Sequence, residues 1–257
     1  MFLGLTITFL GTGASQGVPV IACSCPICRS SDTKDQRLRS SIHLTKHGKS
    51  ILIDSGPDLR QQVLRARIER LDALLLTHEH RDHTEGLGEL RSFVFKQQKP
   101  IPTYASAHVL ECLQQKSTYL FPRMPCQEAP NFELYPIEDS SFQAAGLTVV
   151  PIQVDHKDLP IWGFRVGELT YITDAKSISK EAVAKIRGTT VLIVNALQKK
   201  PHPSHFSLQE AISLAQKVNA KVTYLTHISH HLGLHQEVSK ELPSNIHLAY
   251  DGLQISV

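Results

Sequence analysis

Short apolar runs alternate with amphipathic stretches along the whole chain, a pattern typical of strands alternating with helices. The segment LTITFL (5–10) alternates apolar and polar residues and predicts a strand. LDALLLT (71–77) is continuously apolar, as expected of a strand that is buried on both faces. SLQEAISLAQKV (207–218) collects its apolar residues on one face and begins with the capping pair Ser207 and Glu210, so it predicts a helix.

The same patterns predict the remaining elements. Further helices are predicted at 57–67, 87–95, 107–115, 179–187 and 235–242. Further strands are predicted at 40–45, 50–54, 103–105, 131–137, 147–155, 162–166, 169–173, 190–195, 222–226, 246–250 and 253–257. Pro57 is expected in the first helical turn, where its missing N–H costs nothing, and 78–86 and 117–130 are expected to be loops. No linker or repeat interrupts this order, so we predict one domain spanning 1–257, of the α/β (α+β) class, with two mixed sheets and helices outside them.

Composition and charge exclude several classes of protein. The net charge of +3 comes with no basic stripe, which argues against a nucleic-acid partner. No apolar run is long enough to span a membrane, and the N-terminal segment lacks the basic region of a signal peptide, so we expect a cytoplasmic protein. In that compartment the five cysteines are not expected to form a disulfide framework. The oligomeric state is left open, a homodimer included.

Histidine carries the strongest chemical signal. Ten of the fourteen histidines fall in four short segments, and the densest is HEHRDH directly after the buried strand. In an extended chain, residues two apart point the same way, so His78 and His80 can hold one cation. Once the chain turns toward the next helix, Asp82 and His83 can point together at a neighbouring position. This H-x-H-x-D-H pattern predicts metal binding.

Three more candidate ligands follow predicted strands. His156, Asp174 and His227 each lie just past the C-terminal end of a strand, as the first cluster does. Sites in layered α/β structures gather at such edges. A carboxylate has two oxygens and can bridge two cations, which suits Asp174. Together with the first cluster, these residues predict a site for two divalent ions.

At this point the chain resembles the metallo-β-lactamase superfamily. The resemblance rests on H-x-H-x-D-H, the three strand-end ligands, the opening TFLGTGASQGVP and the segment ILIDSGPDLR, and it covers essentially the whole chain. It implies a four-layer αββα sandwich with a dinuclear site on one edge. It implies one metal held by His78, His80, His156 and Asp174. It implies a second metal held by Asp82, His83, Asp174 and His227. Asp54 would support the metal loop as a hydrogen-bond acceptor.

Three thiols form a separate candidate site. Cys23, Cys25 and Cys28 lie within six residues, and structural zinc needs four ligands. The resemblance is greatest to the group of phosphoribosyl 1,2-cyclic phosphate phosphodiesterases, which carry C-x-C-x-x-C and H-I-S-H. That resemblance implies a structural Cys₃His zinc completed by His230. His231 and His235 remain alternatives for the fourth ligand.

The segment KKPHPSHFSLQEA adds a candidate catalytic residue. His205 lies two residues before the capping serine, at a helix N-terminus that attracts anions. By resemblance it acts on the substrate phosphate or the leaving group, and Asp82 orients the nucleophile or accepts its proton. We expect His202 to be incidental.

These residues predict a metal-dependent hydrolase. Two cations can hold a shared hydroxide and polarise a phosphoryl oxygen, and by resemblance the substrate is a small, possibly cyclic, phosphodiester. Zinc or manganese is expected in the active site, with iron as a further option, besides one structural zinc. Lactone or thioester hydrolysis suits the same ligands. The alternatives within the superfamily are a non-hydrolytic protein such as protein B of pyrroloquinoline quinone biosynthesis, whose motif is degenerate, and a tRNA 3′-processing nuclease, whose RNA-gripping arm is missing here.

Overall fold

The computed structural model describes residues 4–121 and 132–257. The strands are β1 (Thr6–Gly11), β2 (Ser41–Lys46), β3 (Lys49–Ile53), β4 (Ala73–Leu75), β5 (Ile101–Ala105), β6 (Phe132–Pro136), β7 (Phe142–Ala144), β8 (Leu147–His156), β9 (Leu159–Val166), β10 (Leu169–Ile172), β11 (Val191–Asn195), β12 (Val222–Thr226), β13 (Ile246–Leu248) and β14 (Gln254–Ser256). The α-helices are α1 (Leu59–Ala66), α2 (Arg81–Thr84), α3 (Arg91–Gln97), α4 (Ala107–Lys116), α5 (Lys180–Ile186), α6 (Leu208–Val218) and α7 (His235–Glu241). Short 3-10 helices occupy Thr33–Asp35 and Leu87–Leu90.

The strands form two seven-stranded mixed sheets. The first has the order β14-β1-β2-β3-β4-β5-β6, and the second has the order β13-β12-β11-β10-β9-β8-β7. The strands from β3 to β6 are parallel, and so are those from β10 to β13. The carboxyl ends of neighbouring parallel strands therefore meet at one edge of each sheet, where loops can converge.

The core has three apolar layers, and β4 shows how they arise. Ala73 and Leu75 pack between the two sheets, whereas Leu74 faces the helices on the outside of the first sheet. Alternate residues of a strand point to opposite faces, so a strand covered on both sides must be apolar throughout. Helices α1, α3 and α4 cover the first sheet, and α5, α6 and α7 cover the second. Two mixed sheets with helices on their outer faces form four layers, and the predicted αββα fold class is confirmed.

Several sequence-based boundaries were wrong. Helix α1 begins at Leu59 with Asp58 as its N-cap, so Pro57 lies before the helix and not in its first turn. The expected loop after β4 contains the short helix α2. Strand β6, which lies within the predicted 131–137, pairs with β5 at the edge of the first sheet. Strand β7 was not predicted, because FQA is too short to show alternation. Part of the expected loop 117–130 lies outside the described residues.

Along the two described stretches of the chain, none of the helices combines the length and the apolar character that crossing a bilayer requires.

Candidate functional site

The histidine-rich loop runs on directly from the buried strand β4. His78 is buried and His80 is exposed, and their ring centroids lie 4.6 Å apart. Helix α2 then turns the chain, so that Asp82 and His83 face a neighbouring position, with His83 Nε2 3.2 Å from Asp82 Oδ2. This turn packs closely against the segment that contains Gly56. A Cβ added to that glycine would collide with the carbonyl oxygen of Asp82. The loop thus places His78 and His80 beside one another and directs Asp82 and His83 toward an adjacent position.

Asp174 lies at the centre of the histidines. It follows β10 in a left-handed conformation (φ 58°) and is fully buried. Its Oδ1 is 3.3 Å from His83 Nε2 and 3.0 Å from His227 Nδ1. Its Oδ2 is 3.2 Å from His205 Nε2 and 4.0 Å from His78 Nε2. One carboxylate therefore contacts histidines on two sides, the position expected of a bridging ligand.

His156 completes the side that faces His78 and His80. Its ring centroid lies 5.8 Å from that of His78 and 5.2 Å from that of His80. Its Nδ1 donates to the carbonyl oxygens of Asp174 and Ser204, at 2.7 and 2.9 Å. These bonds leave the lone pair of Nε2 available to a ligand.

Asp54 and Thr77 orient the ligand histidines. The Asp54 carboxylate accepts from the Thr77 backbone N–H at 2.9 Å, from the Thr77 hydroxyl and, at 2.7 Å, from His83 Nδ1. The Thr77 hydroxyl in turn accepts from His78 Nδ1 at 2.9 Å. Both rings thus carry their hydrogen on Nδ1 and direct Nε2 into the site.

The site contains buried polar atoms that make no hydrogen bond with the described residues. They are the Nε2 atoms of three histidines and one carboxylate oxygen: His78 Nε2, His83 Nε2, His227 Nε2 and Asp82 Oδ2. Buried polar atoms are almost always satisfied, so a convergent group of unsatisfied ones indicates a missing partner. Imidazole nitrogens and carboxylate oxygens together suit zinc, manganese or iron. The residues present therefore fit the binding of divalent cations.

The charges support the same conclusion. Burial lowers the pKa of His78 well below its usual value and lowers that of His227 to about 4, so both rings are neutral, as metal ligands must be. Burial also disfavours the charged form of His83, but Asp174, Asp82 and Asp54 raise its pKa well above the usual value. The three carboxylates thus concentrate negative charge around His83, and a bound cation would offset that charge.

The three thiols converge on His230. Its Nδ1 lies 3.4 Å from Cys23 Sγ, 3.5 Å from Cys25 Sγ and 3.4 Å from Cys28 Sγ. These four ligand atoms lie within 4.8 Å of one another, a grouping that suits a tetrahedral zinc. The backbone N–H of Cys28 lowers the pKa of the Cys25 thiol to about 6, which favours the thiolate.

The other two candidates for the fourth zinc ligand lie elsewhere. His231 is exposed, and His235 Nδ1 lies 3.1 Å from the buried Arg37 guanidinium. The loop carrying His230 is joined to the N-terminal loop by the bridge between Gly13 and Ile228. The thiol cluster therefore lies next to the segment that holds His227.

Sequence reasoning missed two neighbours of the site. Asn195 is buried at the end of β11 and exchanges two hydrogen bonds of 2.9 Å with the backbone of Ala175, which fixes the turn after Asp174. His202 was expected to be incidental, yet its Nδ1 lies 3.3 Å from Nδ1 of His205. The spacing of two histidines three residues apart, HPSH, was the available signal.

Comparisons with known proteins define the class. Residues 49–228, more than half of the chain, match the family model of the beta-lactamase superfamily domain. The chain belongs to the metallo-β-lactamase superfamily, whose members include hydrolases. A solved structure of a diphosphatase from the PhnP family superposes with a TM-score of 0.93 at 38% identity, covering 100% of this chain and 98% of that one. This likeness supports a place close to the PhnP group, and the family expectation is confirmed.

Two further relatives carry other names. An octanoyltransferase of Porphyromonas gingivalis is 42% identical over 248 residues, which are 95% of this chain but 50% of that protein. The chain thus spans half the length of that relative. Coenzyme PQQ synthesis protein B of Methylorubrum extorquens is 24% identical over 221 residues, covering 73% of this chain and 71% of that protein. The Zn²⁺-bound PqqB structure from Methylobacterium extorquens, at a TM-score of 0.81 and 20% identity, shows the shared fold.

Proposed function

We propose that the chain is a metal-dependent hydrolase that cleaves a small phosphodiester at a dinuclear site. The observation that carries the proposal is the convergence of unsatisfied histidine Nε2 atoms and the unsatisfied Asp82 carboxylate oxygen around the buried Asp174. One cation would be held by His78, His80, His156 and Asp174. The other would be held by Asp82, His83, Asp174 and His227.

The two cations would supply Lewis-acid chemistry, polarising a phosphoryl oxygen and making water more acidic. The chain's own residues do the remaining work. Asp82 has a carboxylate oxygen directed into the site, where it can orient the attacking water or accept its proton. His205 Nε2 lies 3.2 Å from Asp174 Oδ2, and we propose that a hydrogen on this nitrogen is given to the leaving oxygen.

The substrate class rests on likeness to the PhnP group. The 38% identical neighbour is a diphosphatase, and this supports a diphosphate as a second candidate substrate. Both substrates present phosphoryl oxygens to the same ligands. The full set of ligand positions argues against the non-hydrolytic alternative, although relatives named PQQ synthesis protein B share the fold.

Octanoyl transfer is not part of the proposal for this chain. The relative with that name is twice as long as the matched region, so its activity cannot be assigned to this half. The proposed ligand set of imidazoles and carboxylates is also that of metal-assisted hydrolysis rather than of an acyl-carrying nucleophile.

We further propose that Cys23, Cys25, Cys28 and His230 hold a structural zinc. Four convergent ligands leave no open position for a substrate, as in structural rather than catalytic zinc sites. Such a zinc would tie the N-terminal loop to the loop carrying His227 and stiffen the edge where the proposed active site lies.

The deciding experiment is hydrolysis by metal-stripped protein refilled with Mn²⁺ or Zn²⁺. The panel contains bis(p-nitrophenyl) phosphate, cyclic phosphodiesters, diphosphates, a lactone and a thioester. Asp174→Ala is the inactive variant, and His247→Ala, at an exposed histidine on β13, is the matched control. Activity that needs both metal and Asp174 supports the proposal, and the preferred phosphate ester defines the substrate. Turnover of only the lactone or thioester would refute the phosphodiesterase assignment.

A further inference from the structure

An apolar groove runs between α1 and α3 on the outer side of the first sheet. Its volume is about 350 Å³. Five apolar side chains form its floor: Leu59, Val63, Ile68, Leu90 and Phe93. Leu64 also lines the groove and is 60% exposed, which shows that the groove is open to solvent. Exposed apolar surface of this kind commonly marks a site of interaction.

Four exposed charged side chains surround the groove, one at each corner. Helices α1 and α3 each connect two parallel strands of the first sheet, so both run back from the edge that carries the proposed metal site. Arg60 and Glu89 therefore lie at that end of the groove, whereas Glu69 and Lys96 lie at the far end. The sign of the charge thus alternates from corner to corner. Within residues 4–121 and 132–257, none of these four side chains forms an ion pair.

This alternation makes the surface complementary to itself. Two identical surfaces that meet face to face are related by a twofold axis in the plane of contact. If the axis runs along the groove, α1 of one copy faces α3 of the other, and Arg60 meets Glu89 while Glu69 meets Lys96. If the axis runs across the groove, α1 faces α1 and α3 faces α3, and each arginine or lysine again meets a glutamate. Leu64 lies one turn after Arg60, between the two corners of α1, where a second copy would bury it.

We propose that the groove between α1 and α3 is the interface of a homodimer, in which a second copy of the chain covers it with the same surface. A groove for a small ion, or for a partner of one charge, would carry an excess of one sign, whereas this rim carries two charges of each sign. The two helices have eight and seven residues, so the contact is smaller than a standard protein interface. We therefore expect a dimer whose population rises with protein concentration.

The first test is sedimentation velocity of the full chain from low micromolar to several hundred micromolar concentration. Leu64→Glu should lower the association constant at least about tenfold, with a wild-type circular dichroism spectrum, because it places a charge without a partner in the apolar contact. Ile21→Glu is the matched control, since Ile21 is 95% exposed and does not line the groove. A wild type that stays monomeric, or an association constant unchanged by Leu64→Glu, would overturn the proposal. An equal loss in Ile21→Glu would place the interface elsewhere and would also overturn it.

A second test asks whether the charges at the corners select the partner. The double variant Arg60→Glu, Lys96→Glu has four acidic corners, and the double variant Glu69→Lys, Glu89→Lys has four basic corners. Each alone should self-associate at least about tenfold more weakly than the wild type, because like charges would meet at every corner. An equimolar mixture of the two should form a heterodimer, and added salt should weaken it. A mixture that stays monomeric while the wild type dimerises would refute the self-complementary interface. Neither test needs turnover, so the outcome is independent of the proposed function.

Discussion

Asp54 offers a sharp test of how the proposed metal site is held in place. The residue is fully buried in a left-handed conformation (φ 62°), and its carboxylate accepts from Thr77 and from His83 Nδ1. Asparagine has nearly the same size and tolerates this backbone conformation, so Asp54→Asn changes little besides one oxygen. The substitution replaces an acceptor by an NH₂ donor where the native structure needs acceptors.

Either orientation of the new amide creates a conflict. If the NH₂ faces His83, it meets the Nδ1–H, and His83 must move its hydrogen to Nε2, which removes the lone pair that would bind the cation. If the NH₂ faces Thr77, it meets the backbone N–H, and a buried hydrogen bond left unmade costs about 1–3 kcal/mol. Loss of such an outer partner typically lowers metal affinity about 10- to 100-fold. This range corresponds to about 1.4–2.7 kcal/mol of binding free energy.

The assay is calorimetric titration of Mn²⁺ or Zn²⁺ into metal-stripped Asp54→Asn, with circular dichroism to verify the fold. Asp139→Asn, an exposed carboxylate paired with Lys185, is the matched control and should bind as the wild type does. We expect the weaker affinity to be confined to the dinuclear site, with the zinc affinity of the thiol site equal to that of the wild type. Wild-type affinity for both active-site cations in Asp54→Asn would refute the inference that Asp54 sets the ligand tautomer.

Three further predictions concern other parts of the molecule. Cys25→Ser should lower the zinc content by one ion per chain and reduce the denaturation midpoint, and unchanged zinc would show that the cluster with His230 is not a metal site. Gly56→Ala should lower activity at least tenfold with secondary structure retained, because its Cβ would displace the Asp82 backbone, and wild-type kcat would contradict this packing. His43 is buried, and burial lowers its pKa from 6.5 to about 4. Below pH 6.5 the unfolded chain therefore binds a proton that the folded chain does not, and the free energy of unfolding decreases as the pH is lowered. Between pH 7 and pH 5 the wild type should therefore lose about 2 kcal/mol more stability than His43→Gln in urea unfolding, and equal losses would refute this account.

Much of the fold follows from local pattern, because alternation and continuous apolar runs depend only on which faces of a strand are covered. The apolar run before His78 indicated a strand buried on both sides, and β4 has that environment. The pairing of β6 could not be deduced in this way, since its partner β5 is separated from it by a helix and by residues outside the described part of the chain. Strand pairing depends on contacts between residues that are far apart in the sequence, and a local pattern does not encode these contacts.

Some features of the candidate site likewise follow from the sequence, whereas others depend on how the chain folds. The sequence alone determined that His78, His80, Asp82 and His83 lie on one short turn, because their spacing and the preceding strand dictate where the side chains point. Only the tertiary structure decided which distant side chains join them. It brought His230 rather than His231 or His235 to the thiols, and it set His202 against His205. Neighbouring histidines in a loop differ little in sequence, and the strand edges and turns of the folded chain select which of them face inward.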